Sequence, residues 1–307
     1  MKIIEFNKEH FEAVRSLLNL SLNKDIISDR TLERITFKDP NFESKYSLVA
    51  VEDDKVVGFV LGVKRKREPK ELVDLHKKIA WIKVFVVDEK FRRKGIAHSL
   101  FNELETRLEE EYVEKVRICD YPLWHLFSGI DINYEEGLSF CIKRGFKKVG
   151  ETIDYEIDLI DFYMPKRIMD GNFASLSIRR AQKEDMKSVL EFIRSEFPIF
   201  WVYEAKIAFK YKKPKVWIAE EKGKMIGFSV YSALEPHWFG PIGVTERKRF
   251  RGIGTTLLFN CLKSMREEGQ RIVIIPWTKK LFFYTQVPGI KRIRHYWIME
   301  KELGIKK

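Results

Sequence analysis

Cysteine is almost absent from this 307-residue chain; there are three, Cys119, Cys141 and Cys261, far apart. That excludes a disulfide framework. No Cys-x-x-Cys occurs, and the six histidines show no paired spacing, so no metal site is expected. No apolar run approaches the roughly 20 residues of a membrane span. The first residues, Met-Lys-Ile-Ile-Glu-Phe-Asn-Lys-Glu-His, carry charge where a secretory leader needs an apolar core. These absences lead to the expectation of a cytoplasmic protein with no membrane partner. Two phosphate-binding signatures are also missing. There is no Gly-x-x-x-x-Gly-Lys-Ser/Thr, and Gly252-Ile253-Gly254-Thr255-Thr256-Leu257 lacks the third glycine of a dinucleotide fingerprint.

What is present fits a globular protein, with 45% hydrophobic and 33% charged residues. The length suits two cores better than one. The net charge of +12 has three readings: a solvated basic surface, an anionic cofactor, or a nucleic acid. Where the charges fall must decide between them.

The sequence repeats itself. Residues 84–97 read Val-Phe-Val-Val-Asp-Glu-Lys-Phe-Arg-Arg-Lys-Gly-Ile-Ala, and residues 241–254 read Pro-Ile-Gly-Val-Thr-Glu-Arg-Lys-Arg-Phe-Arg-Gly-Ile-Gly. Each is an apolar strand, then an arginine, then x-x-Gly-Ile and a small residue. The flanks repeat too. Leu48–Glu52, a charged turn and Val56–Phe59 match Trp217–Glu220, a charged turn and Met225–Phe228, and each set predicts a β-hairpin. Leu100, Leu104 and Leu108, and then Leu258, Leu262 and Met265, predict a helix after each turn. The first copy spans 1–160, a linker without periodicity 161–174, and the second copy 175–307.

A turn of this kind between strand and helix has a chemical use. Successive backbone N–H groups point into one concavity at the positive end of the helix dipole, and glycine removes the Cβ that would hold a phosphate away. Taken alone, Arg-x-x-Gly-x-Gly describes many ordinary surface turns. Its recurrence in matching strand–turn–helix contexts singles out a diphosphate cradle.

These strand, turn and helix segments resemble the signature of the GCN5-related N-acetyltransferases (GNAT), and the resemblance covers nearly the whole chain twice, as in tandem GNAT proteins. It implies an α/β fold of the α+β kind: two tandem GNAT-like domains, each a mixed, mostly antiparallel sheet flanked by helices. It also implies acetyl-CoA as cofactor, wedged between a splayed fourth and fifth strand. The activity implied is direct transfer of acetyl to an amine acceptor, a small molecule or a peptide, in a ternary complex. The implied cofactor residues in the second copy are Ile242 and Val244 on the strand and Arg249, Phe250, Arg251, Gly252, Ile253, Gly254 and Thr255 in the turn. In the first copy they are Phe85 and Val87, then Arg92, Arg93, Lys94, Gly95, Ile96, Ala97 and His98.

The resemblance also places a tyrosine after strand five as the proton donor to the leaving thiol. Tyr284, in Phe283-Tyr284-Thr285-Gln286, matches it in the second copy, whereas the first has Cys141 there, so chemistry is expected mainly in the C-terminal copy. Tyr284 has the alternative of a buried aromatic. Glu235 and His237, near the start of strand four, are the candidate general bases, with solvated loop residues as the alternative. The two turns absorb much of the positive charge, so nucleic acid is not the expected partner. Lys64-Arg65-Lys66-Arg67 is left as a solvated loop or a contact for an acidic partner. The rival function is a non-catalytic acyl-CoA-binding or sensing protein.

Overall fold

A computed structural model describes residues 1–169 and 176–304. The elements run β1 (Lys2–Glu5), α1 (Phe11–Ser21), α2 (Asp29–Ile35), β2 (Ser47–Glu52), β3 (Lys55–Lys64), α3 (Lys70–Val73), β4 (Ile79–Val87), α4 (Ile96–Glu109), β5 (Lys115–Ile118), β6 (Ile130–Asp131), α5 (Glu135–Lys143) and β7 (Lys147–Asp158). After α6 (Lys166–Met169) come β8 (Leu176–Arg180), α7 (Met186–Glu196), α8 (Ile199–Phe209), β9 (Val216–Glu221), β10 (Lys224–Tyr231), β11 (Phe239–Val244), α9 (Ile253–Glu267), β12 (Ile272–Thr278), α10 (Leu281–Tyr284) and β13 (Ile290–Glu302).

The chain divides into two units, Met1–Glu151 with Tyr296–Lys307, and Thr152–His295. In the first, strands follow the order β1-β2-β3-β4-β5-β13. All pairings are antiparallel except β4 with β5. In the second, β11-β10-β9-β8 form an antiparallel sheet. There β12 pairs with Ile153–Asp158 of β7.

This division differs from a boundary at 160 followed by a linker. β7 runs unbroken through the boundary, and its second half is held by β12. The end of β13 returns to the first unit, where Met299 pairs with Ile118 and Tyr296 with Asp131. Tyr296 and Met299 are buried there. Of the expected linker, Lys166–Met169 form α6, and residues 170–174 lie outside the described residues.

Both hairpins have a short reason for their tightness. Asp53 (φ 49°) and Asp54 (φ 58°) link β2 to β3, and Lys222 (φ 49°) and Gly223 (φ 74°) link β9 to β10. Two consecutive positive φ angles make the turn type that matches strand twist. Against each sheet lies the helix that follows the phosphate-type turn. Leu100, Leu104 and Leu108 are buried from α4, and Leu258, Leu262 and Met265 from α9. Gly58 lets α4 approach, since a Cβ there would meet Ile96 at 2.9 Å. Gly227 does the same for α9, with Leu257 at 3.2 Å. The opposite face of the first unit's sheet is covered by α1 and α2 through Val14, Leu17, Leu18, Leu32 and Ile35.

Candidate active site

The two turns have nearly one backbone. After a short 3-10 turn, Arg92 is extended (φ −63°, ψ 159°), and so is Arg249 (φ −65°, ψ 164°). The next residue is left-handed in both, Arg93 at φ 64° and Phe250 at φ 63°. The glycine opening the helix is left-handed too, Gly95 at φ 84° and Gly252 at φ 79°. Only glycine takes that angle without strain. A Cβ on either would meet nothing within 4 Å, so the requirement is backbone conformation rather than room. Arg92 Nε donates to the Val87 carbonyl at 3.2 Å, and Arg249 Nε to the Val244 carbonyl at 3.2 Å. Each arginine therefore ties its turn back to the strand that precedes it. The first N–H groups of α4 and α9 have no partner within their helices, which leaves them for an anion.

The strands supply a second set of donors. Asp88 N–H bonds the Val57 carbonyl at 2.9 Å, and Val87 lies opposite Gly58. Antiparallel bonding alternates. It therefore assigns Val86 to bonds with β3 and turns the Phe85 and Val87 N–H groups toward the other edge. Thr245 N–H bonds the Ile226 carbonyl at 2.8 Å, which turns Ile242 and Val244 the same way. On that edge the strands part. β4 and β5 pair only as far as Ile82 with Ile118. β11 meets β12 through a bridge of Trp238 with Ile274.

In the first unit a cavity of about 780 Å³ opens where β4 and β5 separate. One wall holds Phe85, Val87, Arg92, Arg93 and Gly95 to His98, and facing it are Leu22, Lys24, Phe127, Tyr134, Glu136 and Phe140. The volume is in the range of small-molecule and cofactor sites.

Comparison with known proteins identifies the family and the fold. The family model for the acetyltransferase (GNAT) family matches residues 11–128 and again 182–281, which together exceed half of the chain. The chain belongs to the GNAT family. It is an acetyltransferase with two GNAT regions, and members of the family use acetyl-CoA. No curated protein sequence matches it. Among solved structures it is similar to the GCN5-related glucosamine N-acetyltransferase region of a fungal multi-domain GH3 β-N-acetylglucosaminidase, with 17% identity and a TM-score of 0.80. That match covers 98% of this chain but 38% of the other. A GCN5-related N-acetyltransferase from Sphaerobacter thermophilus matches at 16% identity and TM-score 0.74, covering 98% of this chain and 95% of the other. A tandem GNAT protein from the clavulanic acid biosynthesis pathway matches at 13% identity and TM-score 0.68, covering 100% and 99%. At these identities the structures speak for the fold.

Within this GNAT protein the predicted site residues take different positions. Ile96 and Ile253 are buried in the cores, so at the turns they offer backbone alone. His98 stands on α4 with its ring 5.1 Å from that of Phe140. The Lys94 ammonium lies 4.9 Å from the Phe91 ring. Arg251 and Phe250 are exposed, Thr255 is half-buried, and Gly254 touches Phe283, whose ring would lie 3.4 Å from a Cβ there. Tyr284 is in the core of the second unit, against Phe283, Tyr155 and Phe239. Burial pushes its acidity down, further than Thr278 offsets. Glu235 is buried. His237 is half-buried, and its carbonyl accepts from Ile274 N–H at 2.8 Å beside the strand opening. Cys141 is fully buried, and burial pushes its thiol up to about 12.

Two residues escaped the sequence reading. Tyr134, at the start of α5, lines the cavity, donates to Asp25 Oδ2 at 2.7 Å and accepts from Lys24 N–H at 3.2 Å. Glu136 bonds Arg92 and Arg93. A tyrosine followed by two glutamates was visible, but nothing local in the sequence says that this segment faces the turn. The basic loop has a structural explanation. Lys64 donates to the Glu111 carbonyl, Lys66 pairs with Glu43 and Glu111, and Arg67 with Glu43. Arg65 is buried with its guanidinium 4.6 Å from the Tyr121 ring. Asn41 Oδ1 accepts from the N–H groups of Lys66, Arg67 and Glu68. The Lys45 ammonium, bonded to the Glu111 carboxylate, is the main cause that holds it down at about 2.

Proposed function

We propose that the N-terminal unit holds acetyl-CoA in the cavity at its strand opening and that the protein acetylates an amine there. One observation carries this reading. The cavity is lined both by Phe85 and Val87, whose N–H groups turn away from β3, and by Gly95 to His98, which open α4. The residues fit the cofactor. The turn at Gly95 to His98 would hold a diphosphate, with Arg92 fixed beside it. Phe85 and Val87 would orient the acyl arm as hydrogen-bond donors. Acetyl-CoA supplies, when bound, an acetyl group on a thioester. Leu22, Phe127, Ile130 and Phe140 provide apolar walls that exclude water.

An alkylamine is mostly protonated near neutral pH, since its pKa is about 10.4. Something must accept a proton. We assign that work to Tyr134 and Asp25. Tyr134 lines the cavity, and its hydroxyl already donates to the Asp25 carboxylate. It can pass its proton to Asp25 while its oxygen takes one from the acceptor. Tyr284, the expected acid of the C-terminal copy, lies buried inside a packed core. Chemistry there would require that core to open, so the N-terminal pair is favoured. For the second turn we propose only that its backbone can also grip a CoA diphosphate.

The test is thiol release from acetyl-CoA with a panel of amines, run on the wild type, Tyr134→Phe and Tyr284→Phe. Tyr134→Phe is expected to slow amine-dependent release by roughly 10²-fold or more, with Tyr284→Phe near wild type. The reverse pattern moves the chemistry to the second unit. CoA binding with no amine-dependent release from any acceptor favours a sensing protein instead.

A further inference from the structure

We propose that Glu136 is a built-in counter-anion of the N-terminal turn, which a diphosphate must displace. The inference rests on the cavity being the coenzyme A site, and it names the residue that sets the strength of that site. Glu136 lies in the first turn of α5, and its two carboxylate oxygens reach different guanidinium groups. Oε2 is 2.8 Å from Arg92 Nη1, and Oε1 is 3.3 Å from Arg93 Nη2. All three side chains line the cavity. Arg92 cannot swing away freely, because its Nε is spent on the Val87 carbonyl. Its Nη1 meets the Glu136 carboxylate, which takes the place an anion would take.

The duplicate sequence supplies an independent observation. With Phe140-Cys141 set against Phe283-Tyr284, the position of Glu136 falls on Lys279, which is exposed and followed by Lys280. One copy carries Glu135-Glu136 ahead of this aligned pair and the other carries Thr278-Lys279. The anion-gripping backbone is the same in both, so the carboxylates are not needed to build the turn. What they change is the charge a ligand meets.

The contact is weak enough to yield. The Arg93 side chain is 80% exposed and that of Glu136 57% exposed, and exposed pairs hold loosely. A carboxylate bridging two guanidiniums in this way is displaced by a ligand carrying more than its own single negative charge. It discriminates against anions with no more than that. Glu136 therefore favours the diphosphate of coenzyme A over monoanions and keeps the arginines placed when the site is empty.

The experiment titrates the full chain with coenzyme A and, separately, with pantetheine, which has no phosphate, by calorimetry at low salt. Glu136→Gln is expected to tighten coenzyme A about 3- to 5-fold, the worth of an exposed ion pair, and Glu136→Lys to tighten it further. Pantetheine affinity should not move. Unchanged or weaker coenzyme A binding in both variants overturns the proposal, because Glu136 then supports the turn instead of competing for it. Equal tightening of pantetheine also overturns it, since the effect is then one of access. Gly95→Glu separates this from the underlying reading. If that substitution leaves coenzyme A binding intact, the cofactor does not use this cavity, whatever Glu136 does.

Discussion

The turns at Gly95 and Gly252 match in backbone, while their surroundings diverge. Both have a left-handed residue, a left-handed glycine and an arginine tied 3.2 Å to the end of the strand. Across from the first stands a nine-residue helix carrying Glu136, and in the second copy a four-residue helix preceded by Lys279 and Lys280. Where the first strand separates from its neighbour it has a buried Lys83–Asp39 pair, and the matching position in the second is Gly240. The lesson is that the backbone proposed to bind an anion depends on a few dihedral angles and one anchor. Those can be kept while the proton chemistry, the charge at the mouth and the packing change independently.

The strongest way to break this comparison is to remove the strand that the first unit borrows from the far end of the chain. Ending the chain after His295 deletes Tyr296, Ile298, Met299 and Leu303, all buried. Each buried side chain of this size contributes about 1.5–3 kcal/mol, and domains have only about 5–15 kcal/mol in total. The first unit is expected to unfold although the lost residues are C-terminal. Hydrogen exchange should show β2 to β5 unprotected and β9 to β11 retained. Loss of protection confined to the second unit would contradict the division of the chain.

Next in size is the buried pair. Lys83 is fully buried, bonds Asp39 and the Ile35 carbonyl, and is driven down to about 8 mainly by burial, against the pull of Asp39. Breaking such a pair from one side costs about 3–5 kcal/mol. Lys83→Ala should lower the unfolding free energy of the first unit, read from urea titration, by that amount, and adding Asp39→Asn should recover part of it. If the double variant is no better than the single, the lysine contributes through packing and the Ile35 bond rather than through charge.

The parts of this architecture that were legible in sequence are local ones. The hairpins could be read because their turns need particular residues at Asp53-Asp54 and Lys222-Gly223. The helices could be read because Leu100, Leu104 and Leu108 repeat at helical spacing. The backbone of the two turns could be read because Gly95 and Gly252 are needed at a left-handed angle. Partnerships across long sequence distance were not legible. Nothing in Tyr296–Glu302 marks it as the neighbour of β5. Tyr134 meets Asp25 across more than a hundred residues, and local pattern carries no signal for that. Tyr284 illustrates the converse: its neighbours in sequence match a functional segment, but its surroundings in space are aromatic core.

A smaller effect comes from the glycines of the turns. Gly95→Glu forces a side chain into a left-handed angle and adds a carboxylate to an anion site. Strain of about 1–2 kcal/mol together with repulsion is expected to weaken coenzyme A binding to the first unit about 100-fold, or about 2.7 kcal/mol. Gly252→Glu should leave that binding unchanged and remove any second equivalent seen by calorimetry. Equal losses from either substitution would mean that the two turns share one ligand.

The smallest expected effect is a softening of the first unit in mild acid. His76 is held down to about 4, first by burial and then by Arg65 and Arg117. Its Nδ1 accepts from Arg65 Nε at 3.1 Å, which only the form with an unprotonated Nδ1 can do. The ordinary imidazole value is about 6.5. Above that, His76 is neutral folded or unfolded, and its contribution is complete. Between pH 6.5 and 4 the unfolded chain takes up a proton that the folded chain refuses, so stability falls with pH. Buried His125, pushed down by burial and by Arg34 and Lys83, acts in the same direction. Asp120, pushed up to about 6 chiefly by burial, opposes both between pH 6 and its ordinary value. The difference between proteins is therefore more informative than the absolute slope. His76→Gln, whose amide oxygen can accept from Arg65, should show a shallower fall in urea midpoint from pH 7 to 4.5 than the wild type. Superimposable curves would assign the acid sensitivity to other groups, His125 and Glu111 among them, and leave the Arg65–His76 bond without a role in it.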